Sequence, residues 1–115
     1  MRRSDLGEFE ELVLLTIATK FPDAYSVIVA EELEKVLQRS VTTGATHAAM
    51  QRLENKGFLT SRMGEATAER GGRRKRLYAV TAAGGKVLRE VRDVRENLWS
   101  RVAKGAIPEL NPVKE

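Results

Sequence analysis

The stretch from Thr42 to Val80 restricts this chain more than any other, because two periodicities meet inside it. TTGATHAAMQRLENKG carries Thr46, Ala49, Met50 and Leu53 at helical spacing and ends at Gly57, a residue suited to stopping a helix. Alternation follows at once. FLTSRM (58–63) and KRLYAV (75–80) read as antiparallel strands, with Leu59, Leu77 and Val80 toward a core and Thr60, Arg62 and Arg76 outward. The connection GEATAERGGRR is too long for a tight turn, and Gly71-Gly72 suits its tip. Loops of that length within a compact domain are usually functional or disordered. From Arg70 to Arg76 the chain carries Arg70, Arg73, Arg74, Lys75 and Arg76 without an acid.

Two helices precede this unit. Leu6 to Lys20 places Phe9, Leu12, Val13, Leu15, Ile17 and Ala18 on a broad apolar face, with Asp5 as N-cap and Glu8 completing a capping box. Pro22 disfavours helical geometry at Phe21 and breaks that helix. Ser26 caps a second helix running to about Gln38. Its inner face is Val29, Leu33 and Val36 or Leu37, beside Ile28, and Glu31, Glu32, Glu34, Lys35 and Arg39 face water. Arg39–Val41 is a short link, with room for one pair of strand residues. Thr42 or Thr43 caps the third helix. Thr46, Ala49, Met50 and Leu53 form its inner side. Thr43, Ala45, His47, Ala48, Gln51, Arg52 and Asn55 form an outer side that is small and polar, with few acids.

After the hairpin, Thr81 caps a long helix from Ala82 to about Ala103, roughly 33 Å if continuous. Val87, Val91, Val94, Leu98 and Val102 form its apolar stripe, flanked by Leu88 and Trp99, on an otherwise charged helix. Such a heptad-like stripe requires a partner. Gly84 and Gly85 are poor helix formers in its first turn. Gly105 and Pro108 end it, and Asn111–Glu115 reads as a loose tail. The organisation expected is a core unit over 1–81, a dimerisation helix over 82–104 and a tail over 105–115.

Composition narrows the chemistry. At 115 residues the chain suits one domain with its own core. The absence of cysteine excludes disulfides, thiolate catalysis and cysteine-ligated zinc, and fits a cytoplasmic protein. Acids interrupt the apolar run in MRRSDLGEFEELVLL, so it is not a signal peptide, and no run suffices to span a bilayer. No nucleophile–base pair is visible, and His47, the only histidine, has no acid cluster that would make it a metal ligand or catalyst. The reading is a non-enzyme without cofactor or metal. A net charge of +4 is a weak signal in itself; its concentration in Arg70–Arg76 is the stronger one.

A helix followed by a long basic hairpin is the working end of a winged helix-turn-helix domain. The expected fold class is therefore mainly α with a small β-hairpin, a winged helix-turn-helix domain plus a C-terminal dimerisation helix. Four segments in order carry a closer likeness: LGEFEELVLL (6–15), AYSVIVAEEL (24–33), GATHAAMQRLENKGFLTSRMGE (44–65) and RGGRRKRLYAVTAAG (70–84). Together they resemble the PadR family of bacterial transcriptional regulators over most of residues 6–88. The resemblance implies a homodimer built through terminal helices, binding double-stranded DNA and usually repressing. Two positions depart from the family pattern: His47 stands where an aromatic, usually tyrosine, is common, and Thr46 where an aliphatic residue is usual.

The candidate DNA-binding residues are Thr42, Thr43, Ala45, His47, Gln51 and Arg52 on the third helix, and Arg70, Arg73, Arg74 and Arg76 on the hairpin. Gln51 suits adenine in the major groove, and Arg52 suits guanine or phosphate. Arg52 has a second reading, a salt bridge across the domain, either near Glu54 or to the first helix. The hairpin arginines suit phosphates or a narrow minor groove; the plainer reading is a charged surface that blocks edge-strand aggregation. Val91, Val94, Leu98, Trp99 and Val102 are the candidate dimer interface. Trp99 is also a candidate wall of a small-molecule effector pocket between protomers. The competing function is a winged-helix interaction module whose basic hairpin meets an acidic protein.

Overall fold

The computed structural model describes residues 6–65 and 74–108. Four helices and one hairpin follow in the order α1 (Glu8–Thr19), α2 (Ser26–Leu37), α3 (Thr43–Asn55), β1 (Leu59–Met63), β2 (Arg76–Val80) and α4 (Ala82–Ser100). The winged-helix expectation holds: α1, α2 and α3 enclose a core that the antiparallel hairpin closes on one side. Val13, Leu14, Ile17, Val29, Leu33, Ala49, Met50, Leu53 and Phe58 are its fully or almost fully buried members. No described helix is long and apolar enough to cross a membrane.

α1 differs from its sequence reading at both its cap and its face. Gly7, not Asp5, is the N-cap; its N–H donates to Glu10 Oε1 at 3.1 Å, so Glu10 takes the role expected of Glu8. Asp5 itself lies outside the described residues. The buried residues are Glu10, Val13, Leu14, Thr16 and Ile17, and they leave Leu15 and Ala18 exposed on the side toward α4. In α2 the N-cap is Tyr25 instead of Ser26, and no side chain caps the helix. Val36 points into solvent while Leu37 and Ile28 pack on the core. Gln38 ends α2 in the left-handed region at φ 56°.

α3 follows its reading closely. Thr42 is the cap, its Oγ1 accepting the Ala45 N–H at 3.0 Å, and Thr46, Ala49, Met50 and Leu53 are all buried. Thr46 tolerates complete burial because its hydroxyl donates to the Thr42 carbonyl at 2.9 Å, so no polar atom of the side chain is stranded. Gly57 leaves the helix at φ 85°.

The hairpin pairs Leu59 with Val80, Ser61 with Tyr78 and Met63 with Arg76. Its buried residues are Leu59, as expected, and Tyr78 in place of Leu77, which is only half-buried and opposes Arg62 on the outer face. The correction follows from the pleat: Leu77 and Val80 are an odd number of residues apart and cannot share a face. By the same alternation Arg76 lies on the Tyr78 face, exposed at its end. Arg39–Val41 forms no strand; the extra pairing is Ala24 with Tyr78, whose N–H donates to the Ala24 carbonyl at 2.8 Å.

Thr81 fixes the start of α4. Its hydroxyl donates to the Gly57 carbonyl at 2.7 Å and accepts the Gly84 N–H at 3.0 Å. Gly84 lies against the Phe58 carbonyl, where an added Cβ would collide, so a helix-weakening residue is required there by packing. Nothing comparable constrains Gly85. α4 stops at Ser100, after 19 residues, so Val102 follows the helix instead of ending its stripe. That makes it about 28 Å long at ~1.5 Å per residue.

Candidate nucleic-acid interface

The open side of α3 runs from Thr43 to Asn55. Thr43, Ala45, His47, Ala48, Gln51, Arg52 and Asn55 are exposed there, as their spacing opposite the buried set requires, with Thr42 exposed at the cap. No acid shares that surface. Glu54, the one acid on α3, is turned toward the hairpin, where its Oε2 accepts the Ser61 hydroxyl at 2.7 Å. The short side chains at Thr43, Ala45 and Ala48 let the backbone approach a facing surface closely.

Arg52 realises the cross-domain reading. Its Nε donates to Glu10 Oε2 at 2.8 Å, joining α3 to the first helix, yet its side chain remains 54 % exposed. Lys56, four residues on, donates its Nζ to Glu10 Oε1 at 2.8 Å. Burial raises the Glu10 pKa, but hydrogen bonds from Lys56, Arg52 and the Gly7 N–H, with the Lys56 charge, outweigh it and hold the carboxyl down to about 2. Sequence reasoning missed Glu10 and Lys56. The signal was present: Glu10 stands on the buried stripe of α1, three residues before Val13 and four before Leu14, where an acid requires a partner.

At the base of the hairpin the basic residues are held by the fold. Arg74 Nε donates to the Gly64 carbonyl at 2.8 Å, and Arg76 Nη1 donates to Ser61 Oγ at 3.1 Å. With the Ser61–Glu54 bond, Arg76, Ser61 and Glu54 link β2 through β1 to α3. The Lys75 ammonium sits 4.4 Å from the centre of the Tyr25 ring, tying the hairpin base to the start of α2. Arg70, Arg73 and the Gly71-Gly72 tip lie outside the described residues.

α4 presents a different surface. Val91 is half-buried, whereas Val94, Leu98 and Trp99 are 39 %, 56 % and 67 % exposed, and Val102 is exposed beyond the helix end. Between α4 and α1 lies a groove of about 450 Å³ with an apolar floor of Leu15, Ala18, Val80, Leu88 and Trp99 and a rim that includes Arg89, Arg92 and Arg95. Arg95 Nη2 reaches Glu11 Oε1 across it at 3.4 Å.

Comparison with known proteins agrees with this architecture. The sequence pattern of the transcriptional regulator PadR-like family matches residues 14–90. Among solved structures, a PadR family regulator from Eggerthella lenta shares 25 % identity with a TM-score of 0.64, over 84 % of this chain and 79 % of that one. A PadR-like transcription factor from Bacteroides fragilis gives a TM-score of 0.67 at 22 % identity, over 82 % and 85 % of the two chains. A PadR-like regulator from Bacillus cereus gives 0.69 at 17 % identity, over 88 % and 93 %. A search of curated proteins found no match. The family is one of transcription factors, not enzymes, and with its pattern spanning most of the winged-helix unit and the first half of α4, this chain belongs to the PadR-like family of transcriptional regulators.

Proposed function

We propose that this protein is a homodimeric, sequence-specific DNA-binding repressor that recognises a palindromic operator. The open side of α3 carries the reading: it is acid-free, populated by small and hydrogen-bonding side chains, and held against the core by an inner face with no exposed member. In this reading α3 enters the major groove with Thr42, Thr43, Ala45, His47, Gln51 and Arg52 toward the DNA. Arg70, Arg73, Arg74 and Arg76 meet phosphates or the minor groove. The exposed apolar side of α4, with Val91, Val94, Leu98, Trp99 and Val102, packs on its counterpart in a second copy. A twofold axis then places two α3 helices about one DNA turn apart. Trp99 and the groove beside it form the wall of an effector site.

Selection of fragments from a random duplex pool tests the reading. It should enrich two inverted half-sites with centres about 10 bp apart. A protein that enriches no motif, or binds an acidic protein in preference to any duplex, would refute it. The hairpin's share is measured separately. Replacing Arg73 and Arg74 with alanine should flatten log affinity against log salt by about one for each phosphate no longer neutralised, on every duplex alike. An unchanged slope removes the hairpin from the interface.

A further inference from the structure

Glu10 is the one buried acid among the described residues, 6 % exposed on the core stripe of α1. Both of its oxygens are engaged: Oε1 accepts the Gly7 N–H at 3.1 Å and Lys56 Nζ at 2.8 Å, and Oε2 accepts Arg52 Nε at 2.8 Å. Arg52 lies in α3 and Lys56 caps its C-terminus one turn on, so a single carboxylate grips the C-terminal end of α3. A pair of this kind adds little stability over a well-packed apolar side chain, because desolvating the charges offsets their attraction; the property it can add is orientation. The inner face of α3 leaves that need open. Ala49, Met50 and Leu53 make non-directional contacts that tolerate a small roll of the helix about its axis, whereas each carboxylate oxygen accepts only from donors placed near its lone pairs. The one other polar tie from the C-terminal half of α3 to a neighbouring element among the described hydrogen bonds is Ser61 to Glu54, on the hairpin side. Glu10 supplies the tie on the α1 side, and the two ties bracket the helix.

We propose that Glu10 is a positioning residue for DNA reading: by holding Arg52 and Lys56 it fixes the roll of α3 against α1, and so aims Gln51 and the exposed part of Arg52 at the bases. The proposal rests on the DNA-binding reading above. It assigns to a side chain that touches no DNA a share of the base preference. Removing the carboxylate releases two cations while loosening the face they flank, so discrimination falls while charge-driven binding does not.

The test compares wild type, Glu10→Gln, Glu10→Leu and, as a matched control, Glu32→Gln, which removes the Lys20 ion pair between α1 and α2. Each protein is taken through thermal unfolding, selection from a random duplex pool, and affinity for the selected duplex and a scrambled one. The expected result is a roughly tenfold lower ratio of selected to scrambled affinity for Glu10→Leu, similar to the effect of one mismatched base pair. Glu10→Gln should fall in between, and Glu32→Gln should match wild type. Scrambled-duplex binding by Glu10→Leu should hold or tighten, with a salt slope no shallower than wild type. If Glu10→Leu does not fold, Glu10→Gln decides, since it keeps the volume and one acceptor. A lowered melting temperature with an unchanged ratio and motif would reduce Glu10 to a brace and overturn the proposal alone. A wild type that enriches no motif overturns the DNA reading and the proposal together.

Discussion

α3 and α4 each leave one side uncovered, and the two uncovered sides have opposite chemistry. α3 packs against α1, α2 and β1, and what it shows outside is threonine, alanine, histidine, glutamine, arginine and asparagine. α4 packs mainly against α1 and β2, and what it shows outside includes Val94, Leu98 and Trp99. A small polar face costs little in water and can exchange water for hydrogen bonds to a polar groove. An apolar face of that extent is a standing cost in water that a protein surface removes. The difference is what the proposed partners rest on: nucleic acid for α3, a second copy for α4. α3 has polar ties to a neighbour on two sides, Arg52 to Glu10 and Glu54 to Ser61, whereas the outer half of α4 reaches a neighbouring helix through Arg95 and Glu11.

The strongest way to break this contrast is on α4. Leu98→Glu places a charge at the centre of the exposed stripe; sedimentation should show a monomer, and affinity for the full palindrome should fall by roughly a thousandfold, against a small change for one half-site, because the second recognition helix no longer binds in concert. A mutant that stays dimeric would overturn the arm. The inner face of α3 should respond next. Leu53→Ala removes a fully buried side chain and should destabilise by about 2–4 kcal/mol in urea unfolding, whereas Leu98→Ala should leave monomer stability nearly unchanged. Equal effects would erase the distinction between covered and uncovered sides.

On the open face of α3, Gln51→Ala should relax the preference at one position of each half-site by roughly 1–3 kcal/mol, read as reduced information in the selected motif, with unfolding unaffected. An identical motif would remove Gln51 as a reader. The smallest effect is titration of the tie between α1 and α3. The Glu10 pKa is lowered from 4.5 to about 2 on folding, so its contribution is complete above 4.5 and is lost as pH falls from there toward 2. Its partners are partly solvent-exposed, which trims the effect to about 1–2 kcal/mol. Urea unfolding at pH 5 and pH 3 should show part of that loss in wild type and a smaller one in Glu10→Gln.

Much of the fold is legible in the chain. α3, its cap within one residue (Thr42 or Thr43), its buried set and the hairpin that follows can be read because local periodicity and punctuation agree there. Helix spacing places Thr46 inside despite its hydroxyl, since position on the helix outranks residue type. The departures have physical causes. Ser26 reads as a cap by type, yet the chain turns one residue earlier, at Tyr25. Leu77 reads as core by hydrophobicity, but the pleat seats Tyr78 there instead. Periodicity overestimates the reach of α4 because an apolar stripe continues to Val102 beyond the helix end at Ser100.

The sequence by itself determined the element order, the acid-free outer side of α3 and the unpartnered stripe of α4, since each follows from residue type at a fixed local period. Only the tertiary structure decided where the charges go. Arg52 is 42 residues from Glu10 along the chain and Arg76 is 15 from Ser61, and no local rule selects those partners. They are chosen by which faces the packed helices bring within about 3 Å, the range in which a hydrogen bond forms. Burial then turns an acid that reads as one charge among many into the acceptor for both Arg52 of α3 and Lys56 at its end.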